Sequence, residues 1–244
     1  MTTTLTWADL GLALATQAAL DQLRTALLRR RKGRGRKPGL AVLFLGADGH
    51  DAAALLGQDL KLPVRQVDLS RVVSRYLGET EKNLDALLAR AESLDVVLLI
   101  DEGEALFGKR TAIADANDRF ANQETNYLLE RIESHDGIVV LTSNSRPKLD
   151  QAFARRLQLI VEFPLPDVEQ RWQLWQKALG KNAGDNPKID LAALAREHVL
   201  SAGQIASAAR QALQAATQQP DRKLSLAIIL DAIRLEERKP GRRT

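Results

Sequence analysis

Three uninterrupted apolar runs constrain this chain more than any other feature: Leu40–Leu45, Val96–Ile100 and Ile138–Leu141. A strand without polar alternation must be covered on both faces, which is the condition of a parallel sheet between helices. Two shorter segments, Val64–Asp68 and Leu159–Phe163, also suit strands. Helical spacing fills the intervals. Leu10, Leu12, Leu14, Ala18, Leu20, Leu23 and Leu27 predict a helix over 8–31. Further helices are expected over 51–60, over 79–94 with Leu84, Leu87, Leu88 and Ala91 on one face, and over 118–134. Alternation of this kind predicts an α/β unit with a five-stranded parallel sheet. After Pro164-Leu-Pro-Asp167 the strand patterns stop. Only helical periodicity follows, over 168–179, 190–197, 202–217 and 224–237, with a Gly-, Asn- and Pro-rich break at 180–189. Trp172 and Trp175 are expected to pack inside this second, all-helical unit.

Composition removes several classes of function. The 244 residues include no cysteine, which excludes disulfides, zinc–thiolate sites and cysteine nucleophiles. No apolar run approaches the ~18 residues of a membrane span, and no basic-then-apolar leader is visible at the start, so a cytoplasmic protein is expected. His50, His135 and His198 stand in unlike contexts and carry no metal-site expectation. The net charge is +4, yet residues 29–37 alone hold seven positive charges in nine positions. Without those seven the rest of the chain falls to −3. Glycines and Pro38 break the segment, which reads as a solvated loop or as a loop that binds phosphates or an acidic partner. No aromatic interleaves with its charges, so nucleic acid is not the expected partner.

Four strings carry chemistry, and they fall in a fixed order. Arg75-Tyr76-Leu77-Gly78-Glu79 follows the second strand and sets an aromatic–aliphatic pair in a loop. The third strand ends in Asp101-Glu102 at the edge where open α/β sheets bind ligands. There an Asp can hold Mg²⁺ and a Glu can polarise an attacking water. Leu141-Thr-Ser-Asn144 puts a polar side chain at the end of the next strand, where it can orient that water. Leu149-Asp-Gln-Ala-Phe-Ala-Arg155-Arg156 precedes the fifth strand, and arginine at such an edge can reach the phosphates of a neighbouring subunit. Each string alone has an ordinary structural explanation. Their order is the specific signal.

In that order the strings resemble the AAA+ ATPase family, in the branch with a second region of homology, from about Trp7 to about Glu237. Within it, Val72-Val-Ser-Arg-Tyr-Leu-Gly-Glu-Thr-Glu-Lys-Asn-Leu84, Leu99-Ile-Asp-Glu-Gly-Glu-Ala-Leu-Phe-Gly-Lys-Arg110 and Asp118-Arg-Phe-Ala-Asn are most similar to ATPases of bacterial extracellular contractile injection systems. The resemblance implies an N-terminal linker, helix and basic loop over 1–39, a P-loop NTPase-like core over 40–166 and a helical lid over 167–244. It implies ATP and Mg²⁺ as cofactors, with Asp101 on the metal, Glu102 and Asn144 as catalytic residues, and Arg155 as a finger in trans. It places Gly46 and Gly49 at the phosphates and Gly203 in a sensor-2 region, Ser201-Ala-Gly-Gln-Ile205, of the version without a sensor arginine. Tyr76 and Leu77 become a substrate-gripping pore loop of a homo- or heterohexameric ring acting on proteins. Trp7-Ala-Asp-Leu-Gly-Leu12 resembles the linker that packs near a neighbour's nucleotide site in such rings.

The phosphate-binding loop departs from the pattern. G-x-x-x-x-G-K-[ST] is replaced by Gly46-Ala-Asp-Gly-His-Asp-Ala-Ala-Ala54, with neither the lysine nor the hydroxyl, whether by substitution or by deletion of about three residues. Asp48 and Asp51 set carboxylates where a polyphosphate would lie, and both are expected to cap the helix that follows. The second arginine of the finger segment is replaced by Gln158, with Arg156 adjacent to the first. Three readings stay open: a non-hydrolysing ring subunit or regulator, an active hexameric motor for protein remodelling or threading, and a basic-loop module binding nucleic acid or an acidic protein.

Overall fold

The computed structural model describes residues 3–32, 39–67, 79–101, 127, 130–132, 134–144, 157–183, 186, 188–219 and 223–238. The five strands are β1 (Leu40–Leu45), β2 (Val64–Val67), β3 (Val97–Ile100), β4 (Ile138–Ser143) and β5 (Leu159–Glu162). They form one sheet in the order β2-β3-β4-β1-β5, and every pairing is parallel. Helices α1 (Leu14–Lys32), α2 (Gly49–Leu60) and α3 (Glu79–Leu94) cover it. The expected helix over 118–134 lies mostly outside the described residues, with 130–132 helical.

All residues of β1, β3 and β4 are buried, as their apolar runs require. Alternate side chains divide between two cores. Val42, Phe44, Val97, Leu99, Val140 and Val161 face α1 and α2, joined by Leu20, Leu23 and Leu27. Ala41, Leu43, Leu45, Leu98, Ile100, Val139 and Leu141 face α3 through Leu84 and Leu88. Phe44 meets Phe163 edge-on with centroids 5.4 Å apart. Each such large side chain withdrawn from water contributes about 1.5–3 kcal/mol.

The helix expected over 8–31 is divided. Trp7–Leu10 is a 3₁₀ turn, Gly11 sits in the left-handed region at φ 51°, and α1 begins only at Leu14. Asp9 accepts from the Thr6 backbone N–H and hydroxyl, both at 2.8 Å, which tightens this turn separately from α1.

Four further helices form a layer of their own: α4 (Val168–Ala183), α5 (Leu191–Glu197), α6 (Ala202–Thr217) and α7 (Leu226–Glu237). Each of the last three starts at a polar cap. Asp190 accepts from Ala192 and Ala193, Ser201 from Gln204, and Ser225 from Ile228. Trp175, fully buried, centres their core with Leu179, Leu194, Ile205, Ile229 and Ile233, and Trp172 packs at its margin. Buried Arg171 ties α4 to α5, donating to the Ala195 carbonyl at 2.8 Å and to the Pro166 carbonyl at 2.6 Å.

Candidate functional site

Strand order brings the motif-bearing connections together. β3, β4 and β1 are neighbours, so Asp101, Asn144 and the Gly46–Asp48 loop all leave the same carboxyl edge of the sheet. The loop is three residues long between β1 and α2. Gly46 is obligatory in it. Its φ is 115°, and a Cβ there would lie 2.1 Å from the Phe163 carbonyl oxygen. Its N–H donates to Ser143 at 2.8 Å and its carbonyl accepts from Gly49 at 3.0 Å, folding the chain directly into α2.

Asp48 occupies the N-cap position of α2 but makes no side-chain cap hydrogen bond there, which corrects the capping expectation for Asp48. Its backbone is in the right-handed region (φ −87°, ψ −1°) rather than the extended one that turns a cap side chain over its own helix. The carboxylate instead crosses to the lid. Oδ1 accepts from Ser201 Oγ at 2.5 Å and from the Gly203 N–H at 3.0 Å. Those groups are the N-cap and the first turn of α6, where unpaired N–H groups and the helix dipole favour a negative charge. A Cβ on Gly203 would stand 2.6 Å from Asp48 Oδ1 and 3.3 Å from Asp51 Oδ2. Gly203 therefore makes room for two carboxylates. Both aspartates are buried, and Thr3 Oγ1 donates to Asp51 Oδ1 at 3.4 Å.

Asp101 is held from both sides. Thr142 Oγ1 donates to its Oδ1 at 2.5 Å, and Gln66 Nε2 donates to its Oδ2 at 3.0 Å. Register explains the partner: β4 pairs Leu141 with Ile100, so Thr142 lies level with Asp101. Asn144, two residues further on, is exposed. His50, in the first turn of α2, brings Nε2 to 4.0 Å from Asp101 Oδ2, while its enclosed Nδ1 finds no hydrogen-bond partner among the described residues. Glu102, Arg155, Arg156, Tyr76 and Leu77 lie outside the described residues. Gln158, at the position of the second finger arginine, is structural. Its N–H donates to the Ala41 carbonyl at 3.0 Å and its side-chain oxygen accepts from the Ala41 N–H at 2.5 Å, closing the start of the β1–β5 ladder.

Ser201, Thr142, Gln66 and His50 are the site residues that sequence reasoning missed. Ser201 carried a visible signal, the Ser-x-x-Gln204 capping box. Next to Asp48 a cleft of about 760 Å³ opens between residues 10–16, the β5–α4 connection and Gln170, Gln173 and Lys177 of α4. The N-terminal turn borders it through Leu10. Trp7 Nε1 donates to Asp59 at 2.9 Å, and the Arg24 guanidinium stacks over the indole at 5.1 Å.

Comparison with known proteins agrees with this architecture. The family model "ATPase family associated with various cellular activities (AAA)" matches residues 52–165. The model "Contractile injection system ATPase helical domain" matches residues 167–238. The chain is 33% identical over 147 residues to Cell division protein C of Sulfolobus acidocaldarius, covering 57% of this chain and 39% of that one. It is 27% identical over 232 residues to Spastin of Drosophila mojavensis (90% and 30%), and 30% identical over 197 residues to Spastin of Gallus gallus (76% and 32%). The chain thus spans less than two fifths of the length of these curated relatives. With its parallel five-stranded core and its helical unit, the chain belongs to the AAA+ ATPase family and is related to the contractile injection system ATPases.

Proposed function

We propose that this chain is a ring-forming AAA+ subunit that does not hydrolyse ATP and acts as a structural or regulatory member of a protein-assembly machine of the contractile-injection type. The observation that carries the reading is the pair of buried carboxylates, Asp48 and Asp51, set against the N-terminus of α6. A triphosphate brought beside them meets like charge. At ~4 Å and an effective dielectric of about 20, each such contact costs about 4 kcal/mol. The helix-end dipole that would attract a phosphate contributes only ~0.3–2 kcal/mol, and Asp48 already uses it. No lysine or hydroxyl of the loop offsets the repulsion. The residues present do not fit Mg·ATP.

The match of residues 167–238 supports a place beside a contractile injection system. In a ring of several kinds of subunit, Arg155 would be offered to a neighbour's nucleotide while the chain's own site stays silent, and Tyr76 and Leu77 would face the pore. No described helix is long and apolar enough to cross a membrane, which accords with work at a cytoplasmic protein assembly. The test is calorimetric titration of the full chain with Mg·ATP and Mg·ADP. No heat up to about millimolar nucleotide is expected. Micromolar binding would overturn the reading and favour the active-motor alternative, for which Glu102→Gln would then abolish turnover.

A further inference from the structure

We propose that Asp48 and residues 3–10 latch the lid shut on the core, so that the closed arrangement of the two units is set by the chain's own side chains and not by a bound ligand. This deepens the reading above and can fail separately from it.

The latch has two ties. The first is Asp48, which leaves the core between β1 and α2 and bonds Ser201 Oγ and the Gly203 N–H of the lid, with Asp51 packed under Gly203. The acceptor is a buried carboxyl group at a helix N-terminus, so removing it leaves two buried donors unpaired. The second tie is the N-terminal strap, which holds the core with one edge and the lid with the other. On the core side, Gln58 Nε2 donates to the Thr3 carbonyl at 2.9 Å, Trp7 Nε1 donates to Asp59, and Leu5 and Leu10 are buried in the α1–α2 core. On the lid side, Arg210 of α6 donates to the Thr4 carbonyl and pairs with Asp9 at 3.5 Å, and Lys177 of α4 donates to the Ala8 carbonyl at 2.8 Å. Leu10 lies where the ties meet, 3.2 Å from the position of a Gly203 Cβ. Ala206 of α6 packs into the same core cluster as Leu5 and Leu10. The lid is thereby joined to the core by burial and by charge at one seam.

Hydrogen–deuterium exchange on the full chain tests the latch. In the wild type the amides of 202–208 are expected to exchange slowly, at a rate that Mg·ADP does not change. Asp48→Ala removes the shared acceptor and should accelerate exchange over 202–208 and 3–10 by about tenfold or more, leaving β1, β3 and β4 protected. Asp48→Asn keeps an oxygen for the same two donors and should restore most of the protection. Ser201→Ala leaves the Gly203 bond but also uncaps α6, so it is read over 3–10, where it should fall between, and it serves there as the reporter if Asp48→Ala does not fold. Unchanged exchange in Asp48→Ala and Ser201→Ala, or loss spread evenly over the sheet, would overturn the latch. Nucleotide binding to the wild type with unchanged exchange at 202–208 would overturn the function proposed above and leave the latch standing.

Discussion

Gly203→Ala is the substitution that most directly probes the seam. On intrinsic propensity it should help, because alanine is better than glycine inside a helix by up to ~1 kcal/mol. Geometry opposes this. The new Cβ would lie 2.6 Å from Asp48 Oδ1, closer than a carbon and an oxygen can sit. The carboxylate must turn away, and it then gives up Ser201 Oγ and the Gly203 N–H. Each bond to a charged group is worth about 1.5–3 kcal/mol, so the loss is ~3–6 and the net destabilisation ~2–5 kcal/mol. For a chain of this size that corresponds to a Tm lower by roughly 4–20 °C. The assay is urea denaturation of the wild type, Gly203→Ala, Asp48→Ala and the double variant. With the Asp48 carboxyl gone, only the tight contacts to Leu10 at 3.2 Å and Asp51 Oδ2 at 3.3 Å remain, and Gly203→Ala in the Asp48→Ala background should turn close to neutral. The cycle then shows a coupling of at least ~2 kcal/mol. A stabilising single variant, or additivity within ~0.5 kcal/mol, would refute the argument.

Two further outcomes follow from buried groups away from the seam. Burial pushes His135 below the usual histidine range, against the raising influence of Glu92, whose Oε1 lies 2.9 Å from Nδ1. Below about pH 6.5 the unfolded chain binds a proton that the folded chain refuses, so stability should fall as pH drops from 7.5 to 5.5. His135→Gln should flatten that slope in Tm, and Glu92→Gln should steepen it. Trp175 is fully buried with an indole N–H that has no hydrogen-bond partner among the described residues. Trp175→Phe therefore sheds a desolvation penalty while losing area and should shift stability by less than about 1.5 kcal/mol in urea melts, whereas Trp175→Ala should cost ~3–5 kcal/mol.

The sheet was legible because β1 and β3 are apolar at every position and β4 is apolar from Ile138 to Leu141, a pattern that two-sided burial explains. The helical unit was legible from its spacing alone, and the structure adds the polar caps Asp190, Ser201 and Ser225 at the starts of α5, α6 and α7. The break at Gly11 was not, since leucines at 10, 12 and 14 carry helical spacing straight through a residue whose left-handed φ ends the turn. The partner of Asp48 was illegible for a different reason. Capping rules are local, and they assign an aspartate before α2 to α2. The helix end that receives it starts more than 150 residues later, and only the fold brings the two together. Thr142 was hidden by register: the string Leu141-Thr-Ser-Asn144 draws the eye to its last member, while the pairing of Ile100 with Leu141 puts the second beside Asp101.

Motif residues at this sheet edge therefore do not by themselves argue for nucleotide chemistry. Gly46 is needed for its φ and its approach to the Phe163 carbonyl. Gly203 is needed for the space that Asp48 fills. Asp101 is needed as the acceptor that joins β2, β3 and β4 through Gln66 and Thr142. Each would be kept by folding alone, so a phosphate-binding outline can outlast phosphate binding. Glu102 and Arg155, which lie outside the described residues, are the ones we propose for catalysis and for a neighbour's site, and their substitution is expected to change the activity of the proposed ring. Asp48 and Gly203 should behave in the opposite way, altering the stability of the lid first and any activity only through it.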